Sequence, residues 1–175
     1  MHPGTPSESS DPPKRYHLRR PDRAILDPAE LDRILSTTKY VSVALCGPDL
    51  LPHVVVMSHG YDAERNCLYF HSAQVGRKLD LLRLNPNVSA LAVEDLGYRV
   101  GECSHAYRSV HVAGRLVEVT DPDEVLHALE VMIHRLEPDP GPVLDRFLPA
   151  FRAGAPVSAA VLRLSISERT GKHGS

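Results

Sequence analysis

The sequence predicts a mainly β fold in which about six antiparallel strands close into a small barrel, with three or four helices at its periphery. Three observations lead to this prediction. Segments in which apolar and polar residues alternate mostly follow one another directly, joined by turn signals such as Gly47-Pro48-Asp49. Such close spacing is typical of antiparallel hairpins rather than of parallel β-α-β units. Two of the helical segments begin at an Asp-Pro pair that separates them from the strands.

Alternation defines the strands in chain order. We predict strands over residues 40–46, 51–59, 67–71, 88–94, 108–120 and 160–167. In the first of these, Val41, Val43 and Leu45 share one face and would point into the core. Gly114 inside the fifth strand indicates a bend or bulge. Residues 95–104 are predicted to form a loop.

Cap signals define the helices. Asp27 is a good N-cap, Pro28 fits the first helical position and Glu30 can complete a capping box, so a helix is predicted to start at Pro28 and to end near Thr37. A short helix over residues 76–84 stops at Asn85-Pro86. Asp121-Pro122 starts an amphipathic helix that is predicted to end before the prolines near residue 138. A further short helix is predicted over residues 143–151.

Length and composition indicate one domain. The chain has 175 residues, of which 42% are hydrophobic. We assign residues 1–14, which contain four prolines, to a disordered N-terminal tail, residues 15–172 to the folded domain and residues 173–175 to a disordered C-terminus. The formal charge of −2 gives no basic excess for nucleic acid, and no apolar run approaches the roughly 20 residues of a membrane span. Three cysteines without a C-x-x-C motif favour a reduced, cytoplasmic protein.

One stretch has the features of a phosphate-binding site. Residues 70–78 leave a strand, turn through Gly76 and open a helix, whose N-terminus offers backbone N–H groups and a partial positive charge. Arg77 and Lys78 add two formal charges, and Ser72 adds a hydroxyl group. An ordinary strand–helix turn with a solvated Arg-Lys pair explains the same residues equally well, because no P-loop or G-x-G-x-x-G motif accompanies them.

Two other stretches contain reactive side chains. A strand that opens with Arg108-Ser109 can point a guanidinium and a hydroxyl group into a cleft, although an arginine at a strand end is more often a surface ion-pair partner. Cys103 and His105 are close in sequence, but the partners of a Cys–His nucleophile are usually distant in sequence, so we assign them no role.

The ten histidines form no H-x-x-x-H or H-E-x-x-H motif, and we predict no metal site. Single histidines can nevertheless act as axial ligands of haem. The candidate haem ligands are His53, His59, His71, His105 and His111.

In order and spacing, several motifs resemble the pyridoxamine 5'-phosphate oxidase-like, FMN-binding split-barrel superfamily. These motifs are Tyr69-Phe70-His71-Ser72, Gly76-Arg77-Lys78-Leu79, Asn85-Pro86-Asn87-Val88, Tyr107-Arg108-Ser109-Val110 and Gly114-Arg115. Within the superfamily, the sequence is most similar to the nitroimidazole-resistance (Nim-type) flavoprotein branch. The basic segment 19–23 resembles the opening motif of that branch, and residues 170–172 resemble its C-terminal ending. The resemblance extends over roughly residues 16–172.

The resemblance implies a six-stranded antiparallel split barrel that forms a homodimer with two FMN sites at the subunit interface. Backbone groups of one strand would line the isoalloxazine ring: Val54, Val55, Val56, Met57, Ser58 and His59. His71 and Ser72 would lie beside the phosphate or the ribityl chain, and Arg77 and Lys78 would bind the phosphate. Arg108 and Ser109 would approach the cofactor from the later strand, either within one subunit or across the dimer.

The resemblance also implies an FMN-dependent oxidoreductase that reduces a small electrophile such as a nitroaromatic compound. Oxidation of pyridoxamine phosphate is not predicted, because the strand at 54–59 lacks the Arg and Lys of the vitamin-forming oxidases and their C-terminal substrate-binding segment is not recognisable. His71 is the one candidate for proton transfer, with holding the phosphate or packing in the barrel as its favoured alternative roles. The alternative function is non-catalytic binding of haem or flavin on the same fold.

Overall fold

The computed structural model describes residues 19–155 and 157–174. Within these residues it contains a short 3-10 turn at Pro21–Arg23, eight strands and four α-helices. The strands are β1 (Ala24–Ile25), β2 (Tyr40–Cys46), β3 (Pro52–Ser58), β4 (Gly60–Asp62), β5 (Cys67–Ser72), β6 (Asn87–Arg99), β7 (Ser104–Glu118) and β8 (Ala160–Gly174). The helices are α1 (Pro28–Thr37), α2 (Arg77–Leu84), α3 (Pro122–Leu136) and α4 (Gly141–Arg152).

All strands belong to one antiparallel sheet in the order β3-β2-β6-β7-β8-β5-β4, and β1 pairs with the outer part of β8. The sheet curves until β3 approaches β5, but no ladder of hydrogen bonds joins these two strands. The result is a barrel that stays open along β3, as the split-barrel prediction requires.

The core lies inside this curved sheet. The inward residues Val41, Val43 and Leu45 of β2 are buried, as the alternation predicts. The inward residues of β8, Leu162, Leu164 and Ile166, belong to the same core cluster as these β2 residues. Helix α1 closes one end of the core with Ile34 and Leu35. A smaller cluster under α3 buries the other face of β5, and therefore four successive residues of β5 are buried instead of every second one.

Local signals explain several of these elements. The Asp27 side chain accepts a hydrogen bond from the Ala29 amide, and Asp121 accepts one from the Glu124 amide, so both predicted N-caps are confirmed. Glu30 does not complete a capping box, because its carboxylate instead binds Arg33 one turn later. The register of β7 against β8 shifts at Gly114, which confirms the predicted bulge. A Cβ atom there would collide with the Ser165 carbonyl oxygen.

The structure corrects three details of the sequence prediction. Two short strands, β1 and β4, bring the number of strands to eight rather than six. The predicted loop at 95–104 is the end of a long hairpin, in which β6 and β7 remain paired as far as Arg99 and Ser104. Strand β8 continues to Gly174 through its pairing with Tyr107, so residues 173–174 are ordered strand rather than a disordered end. Strand β1 and the end of β8 depend on pairing partners that are distant in sequence, whereas β4 and the end of the β6–β7 hairpin pair with neighbouring segments.

The predicted N-terminal tail at residues 1–14 and the domain start at residue 15 lie outside the described residues. Among the helices that the structure describes, none combines the length and the apolar character needed to cross a membrane.

Candidate phosphate-binding site

A pocket lies beside the open edge of the barrel, where β5 ends, α2 begins and β3 starts. Its volume is about 490 Å³. Five polar side chains line it: His53, His71, Ser72, Arg77 and Lys78. Ala73, Val75, Gly76 and Leu79 complete the lining. The structure therefore brings together four predicted site residues (His71, Ser72, Arg77 and Lys78).

The turn into α2 is shaped by Gly76. This residue has a φ angle of 132° and a ψ angle of 163°, a conformation that side-chain-bearing residues rarely adopt. It is the N-cap of α2, and its carbonyl oxygen accepts hydrogen bonds from the amides of Leu79 and Asp80. No side chain caps this end of the helix. The first N–H groups of α2 are therefore left for another acceptor, which is the arrangement that anions use at helix N-termini.

The formal charges in the lining of the pocket are all positive. No carboxylate is among its lining residues. Asp80 in the first turn of α2 is exposed and lies 3.9 Å from Arg83. Lys78 is partly buried, and this burial lowers the pKa of its ammonium group. None of the five polar side chains forms a hydrogen bond or an ion pair with another residue in the described part of the chain.

His53 was not predicted as a residue of this site and was expected only as a candidate haem ligand. It stands opposite Leu45 in the β2–β3 ladder and shares the inward face of β3 with Val55 and Met57. The available signal was a histidine at an inward position of an alternating strand. The sequence could not indicate that this position lies at the open end of the barrel, across from α2.

The remaining predicted residues of β3 form an exposed edge. Because β3 pairs with β2 alone, the backbone groups on its other side are not used by the sheet. The side chains of Val54 and Val56 are 61% and 67% exposed, whereas Met57 is buried in the core. Val55 is partly buried against the same core, and Ser58 ends the strand. The edge therefore offers backbone groups and two outward valines beside the pocket.

The side chain of His59 is not part of this edge. It is fully buried, and its Nε2 atom lies 2.8 Å from the Leu35 carbonyl oxygen. Burial lowers the pKa of His59, so the neutral form that donates to Leu35 is favoured. The expectation that His59 lines a flavin ring can therefore apply to its backbone only, and a role as haem ligand is excluded for the side chain in this conformation.

Arg108 and Ser109 are not brought to the pocket within one chain. The Arg108 guanidinium lies 3.4 Å from Glu30 and 3.3 Å from Glu94, beside a different cavity. These carboxylates also bind Arg33, at 2.8 Å each. Hydrogen bonds from Arg33 hold the pKa of Glu94 below its usual value. Arg108 is therefore a surface ion-pair partner, which is the alternative that its position at a strand end favoured. A contact between Arg108 and a cofactor in a dimer stays a prediction.

Ser109 lies on the outward face of the sheet opposite Val93, and its hydroxyl donates to the Lys172 carbonyl oxygen at 3.4 Å. This face is apolar around it. Val54 and Val56 of β3 and Leu91 and Val93 of β6 lie on this face on either side of β2, and all four are exposed; Val56 and Leu91 flank the same β2 residue, Ser42. We call these four residues the outer valine-leucine face. Monomeric proteins rarely expose several large apolar side chains so close together.

The other candidate haem ligands are dispersed. The ring of His105 contacts Tyr98 in the β6–β7 hairpin, with 5.0 Å between ring centres. His111 lies 2.5 Å from the Ser89 hydroxyl on the outward face of the sheet. Two of the candidates, His53 and His71, line one pocket together. Cys103 is exposed in the turn of the hairpin with a positive φ angle.

Comparisons with known proteins support the same fold. A family model described as pyridoxamine 5'-phosphate oxidase matches residues 27–173. No curated protein sequence matches the chain significantly. A candidate 5-nitroimidazole antibiotic resistance protein from Bacteroides thetaiotaomicron is 26% identical, with 86% of each chain covered and a TM-score of 0.67.

Two further solved structures are similar. A FAD-binding protein from Mesorhizobium loti is 26% identical, with 86% of this chain and 96% of that chain covered and a TM-score of 0.59. A flavocytochrome from Azotobacter vinelandii is 20% identical, with 90% of this chain and 72% of that chain covered and a TM-score of 0.69. At this lower identity the similarity shows a shared fold.

Proposed function

The chain belongs to the pyridoxamine 5'-phosphate oxidase family, and from this premise we propose that it is an FMN-binding flavoprotein and an oxidoreductase. The observation that supports the proposal best is the pocket at the start of α2, in which two cations and an uncapped helix N-terminus converge without a carboxylate. The family membership alone does not fix the reaction, because one fold hosts several activities.

The pocket fits the phosphate group of FMN. A phosphate monoester carries close to two negative charges at neutral pH and three acceptor oxygens. Arg77 and Lys78 supply charge-assisted donors, Ser72 supplies a hydroxyl group, and the first amides of α2 point toward the same place. The pocket is built around one helix N-terminus, which suits the single phosphate of FMN. The Mesorhizobium protein binds FAD, so FAD is the natural competitor in a binding assay.

The isoalloxazine ring would lie along the β3 edge. The ring has an apolar face and a polar rim of hydrogen-bonding groups. The exposed side chains of Val54 and Val56 can cover an apolar face, and the unused backbone groups of β3 can bind a polar rim. His53, the second residue of this strand, also lines the phosphate pocket, so one ligand can contact both.

We further propose a homodimer with the cofactor at the subunit interface. The outer valine-leucine face extends from β3 across β2 to β6, and a second copy of this chain would remove it from water. Tyr40, at the start of β2, is exposed at the end of the same face and would join the interface. The dimer would cover the open side of the ring site and exclude water from it.

A bound flavin supplies two-electron transfer between a reductant and a small electrophile. Arg77 and Lys78 would hold the phosphate and thereby fix the ring along β3. His71, at the end of β5, lines the pocket and would hold or pass a proton. The proposed substrate class is small nitroaromatic compounds, on the strength of the Bacteroides relative. The three free cysteines support a cytoplasmic location.

The test is the visible absorption spectrum of the purified protein, recorded after FMN has been added and excess ligand removed by desalting. We expect a retained flavin spectrum. In Arg77→Ala/Lys78→Ala, loss of two charge-assisted contacts should weaken FMN binding at least about 100-fold. Nitroreductase activity with reduced nicotinamide nucleotide as electron source is measured on the loaded protein.

The matched control is Arg115→Ala/Arg146→Ala, which removes the same charge from exposed positions outside the pocket. A folded Arg77→Ala/Lys78→Ala variant with unchanged flavin content would refute the assignment of the pocket. A sharp Soret band in the purified protein would instead support the alternative function, haem binding, with His53 and His71 as the first ligands to replace.

A further inference from the structure

We propose that His53 is a further side chain of the phosphate pocket and that, together with His71, it makes the binding of a phosphate-bearing ligand proton-linked. The inference deepens the proposed function, on which it rests for the identity of the ligand. Its physical basis is the position of two imidazoles on the β3 and β5 sides of a pocket whose α2 side supplies fixed positive charge.

The placement of His53 is set by the sheet. Residues that are paired in the β2–β3 ladder point their side chains to the same face of the sheet. His53 is paired with Leu45 and therefore lies on the inward face. Leu45 is fully buried in the core, whereas His53 is only partly buried, because β3 is at the edge and the barrel is open there. The imidazole therefore lines the pocket that α2 covers from the other side. It forms no hydrogen bond to a described residue, so its ring nitrogens are available to a ligand.

The charges around the two imidazoles all have the same sign. Arg77 and Lys78 face them from α2. No acidic residue is part of the pocket lining: Asp80 of α2 lies near Arg83, and Asp49 accepts a hydrogen bond from the Leu51 amide. A bound phosphate dianion places negative charge beside the imidazoles and favours the imidazolium, in which both ring nitrogens are donors and which adds a positive charge.

A binding site of this kind takes up protons when the ligand binds. Imidazoles change charge between about pH 5 and 8. The second ionisation of a phosphate monoester lies near pH 6, so FMN is mostly a dianion above about pH 6.5. Between pH 8.0 and 6.5 the affinity for FMN should therefore increase as the pH falls. Riboflavin has no phosphate, and its affinity should not change over this range.

The experiment is calorimetric titration of the full-length protein with FMN at pH 7.0 in buffers of different ionisation enthalpy, which measures the number of protons taken up. Fluorescence titrations at pH 6.5 and 8.0 give the affinities. For the wild type we expect uptake of about one proton and an affinity that is about fivefold to tenfold higher at pH 6.5. Riboflavin in the same titrations is the ligand control.

Four variants assign the protons. His53→Gln and His71→Gln should each lower the proton uptake by about half and flatten the pH dependence, with the double variant losing most of both effects. Lys78→Arg keeps its charge throughout and should retain the uptake, which excludes Lys78 as its source. His134→Gln changes an exposed histidine of α3 outside the pocket and should behave as the wild type. Circular dichroism and thermal unfolding verify folding, and His53→Asn replaces His53→Gln if that variant is unfolded.

Inorganic phosphate is the second probe, because it tests the pocket without the flavin. If FMN binds and His53→Gln retains the wild-type uptake and pH dependence, the inference about His53 is overturned while the proposed function stands. If phosphate binds with proton uptake that depends on His53 but FMN does not bind, the proposed function fails and the inference stands. If neither ligand causes proton uptake in the wild type, the inference is overturned outright.

Discussion

The molecule contains two groups of basic side chains that look alike in the sequence and differ in their surroundings. At the first, α1, β6 and β7 bring Arg33 and Arg108 against Glu30 and Glu94, with distances of 2.8 to 3.4 Å. At the second, the phosphate pocket brings Arg77 and Lys78 together with no carboxylate in its lining. The first group neutralises its charge within the chain, and the second leaves its charge for a ligand.

This difference in partners indicates which of the two groups can gain free energy by binding a ligand. Exposed ion pairs contribute little to stability, and even a network of several such pairs contributes only modestly. Two neighbouring cations at a helix N-terminus repel each other and the helix dipole, which disfavours the folded state slightly. A bound phosphate relieves this repulsion and forms charge-assisted hydrogen bonds. The absence of internal partners is therefore the property that makes the pocket a candidate binding site.

The contrast between the two groups should be reduced most when a carboxylate is introduced into the phosphate pocket. Val75 lines the pocket and is 81% exposed, so a longer side chain fits there. In Val75→Glu the carboxylate would pair with Arg77 or Lys78, and the affinity for FMN should fall about tenfold. Fluorescence titration measures the affinity. Val75→Gln has the same shape without the charge, and an equal loss in that variant would show that shape rather than charge is responsible.

Removing a cation from the paired group should have a smaller effect, and on a different property. Arg108→Ala deletes two ion pairs of a partly exposed network, so the free energy of unfolding should fall by about 0.5–1 kcal/mol. Urea denaturation measures this change. The FMN dissociation constant should change by less than about twofold. A loss of FMN affinity of tenfold or more would contradict this expectation and would support the role across the dimer that the resemblance implies.

The smallest expected effect concerns a histidine that no ligand reaches. Burial lowers the pKa of His59 in the folded state, against which the bond to the Leu35 carbonyl acts only in part. In the unfolded chain a histidine titrates near pH 6.5. Below that pH the unfolded chain therefore binds more protons than the folded one, and stability should decrease as the pH falls.

Thermal unfolding at pH 7.5 and 5.5 measures this dependence. His59→Gln keeps a donor for Leu35 without a titrating group, so its melting temperature should depend less on pH than that of the wild type. His134→Gln removes an exposed histidine as a control. If His59→Gln and the wild type lose the same stability between the two pH values, another group is responsible for the acid sensitivity.

The sequence by itself determined those features whose causes lie within a few residues. Asp27 and Pro28 start α1 because the cap and the fixed φ angle act locally, and alternation places Val41, Val43 and Leu45 in the core because strands have a period of two. Gly114 indicated the bulge in β7. The strand–Gly76–helix order likewise placed Arg77 and Lys78 at a helix N-terminus.

Only the tertiary structure decided which side chains meet. Glu94 and Arg108 are 14 positions apart, and their contact with Glu30 and Arg33 depends on how α1 packs on β6 and β7. The burial of His59 against Leu35 and the position of His53 beside α2 have the same origin. Local patterns fix the conformation of a segment, but its neighbours are set by long-range pairing and by where the barrel remains open, and these neighbours decide whether a charge is neutralised or left to bind.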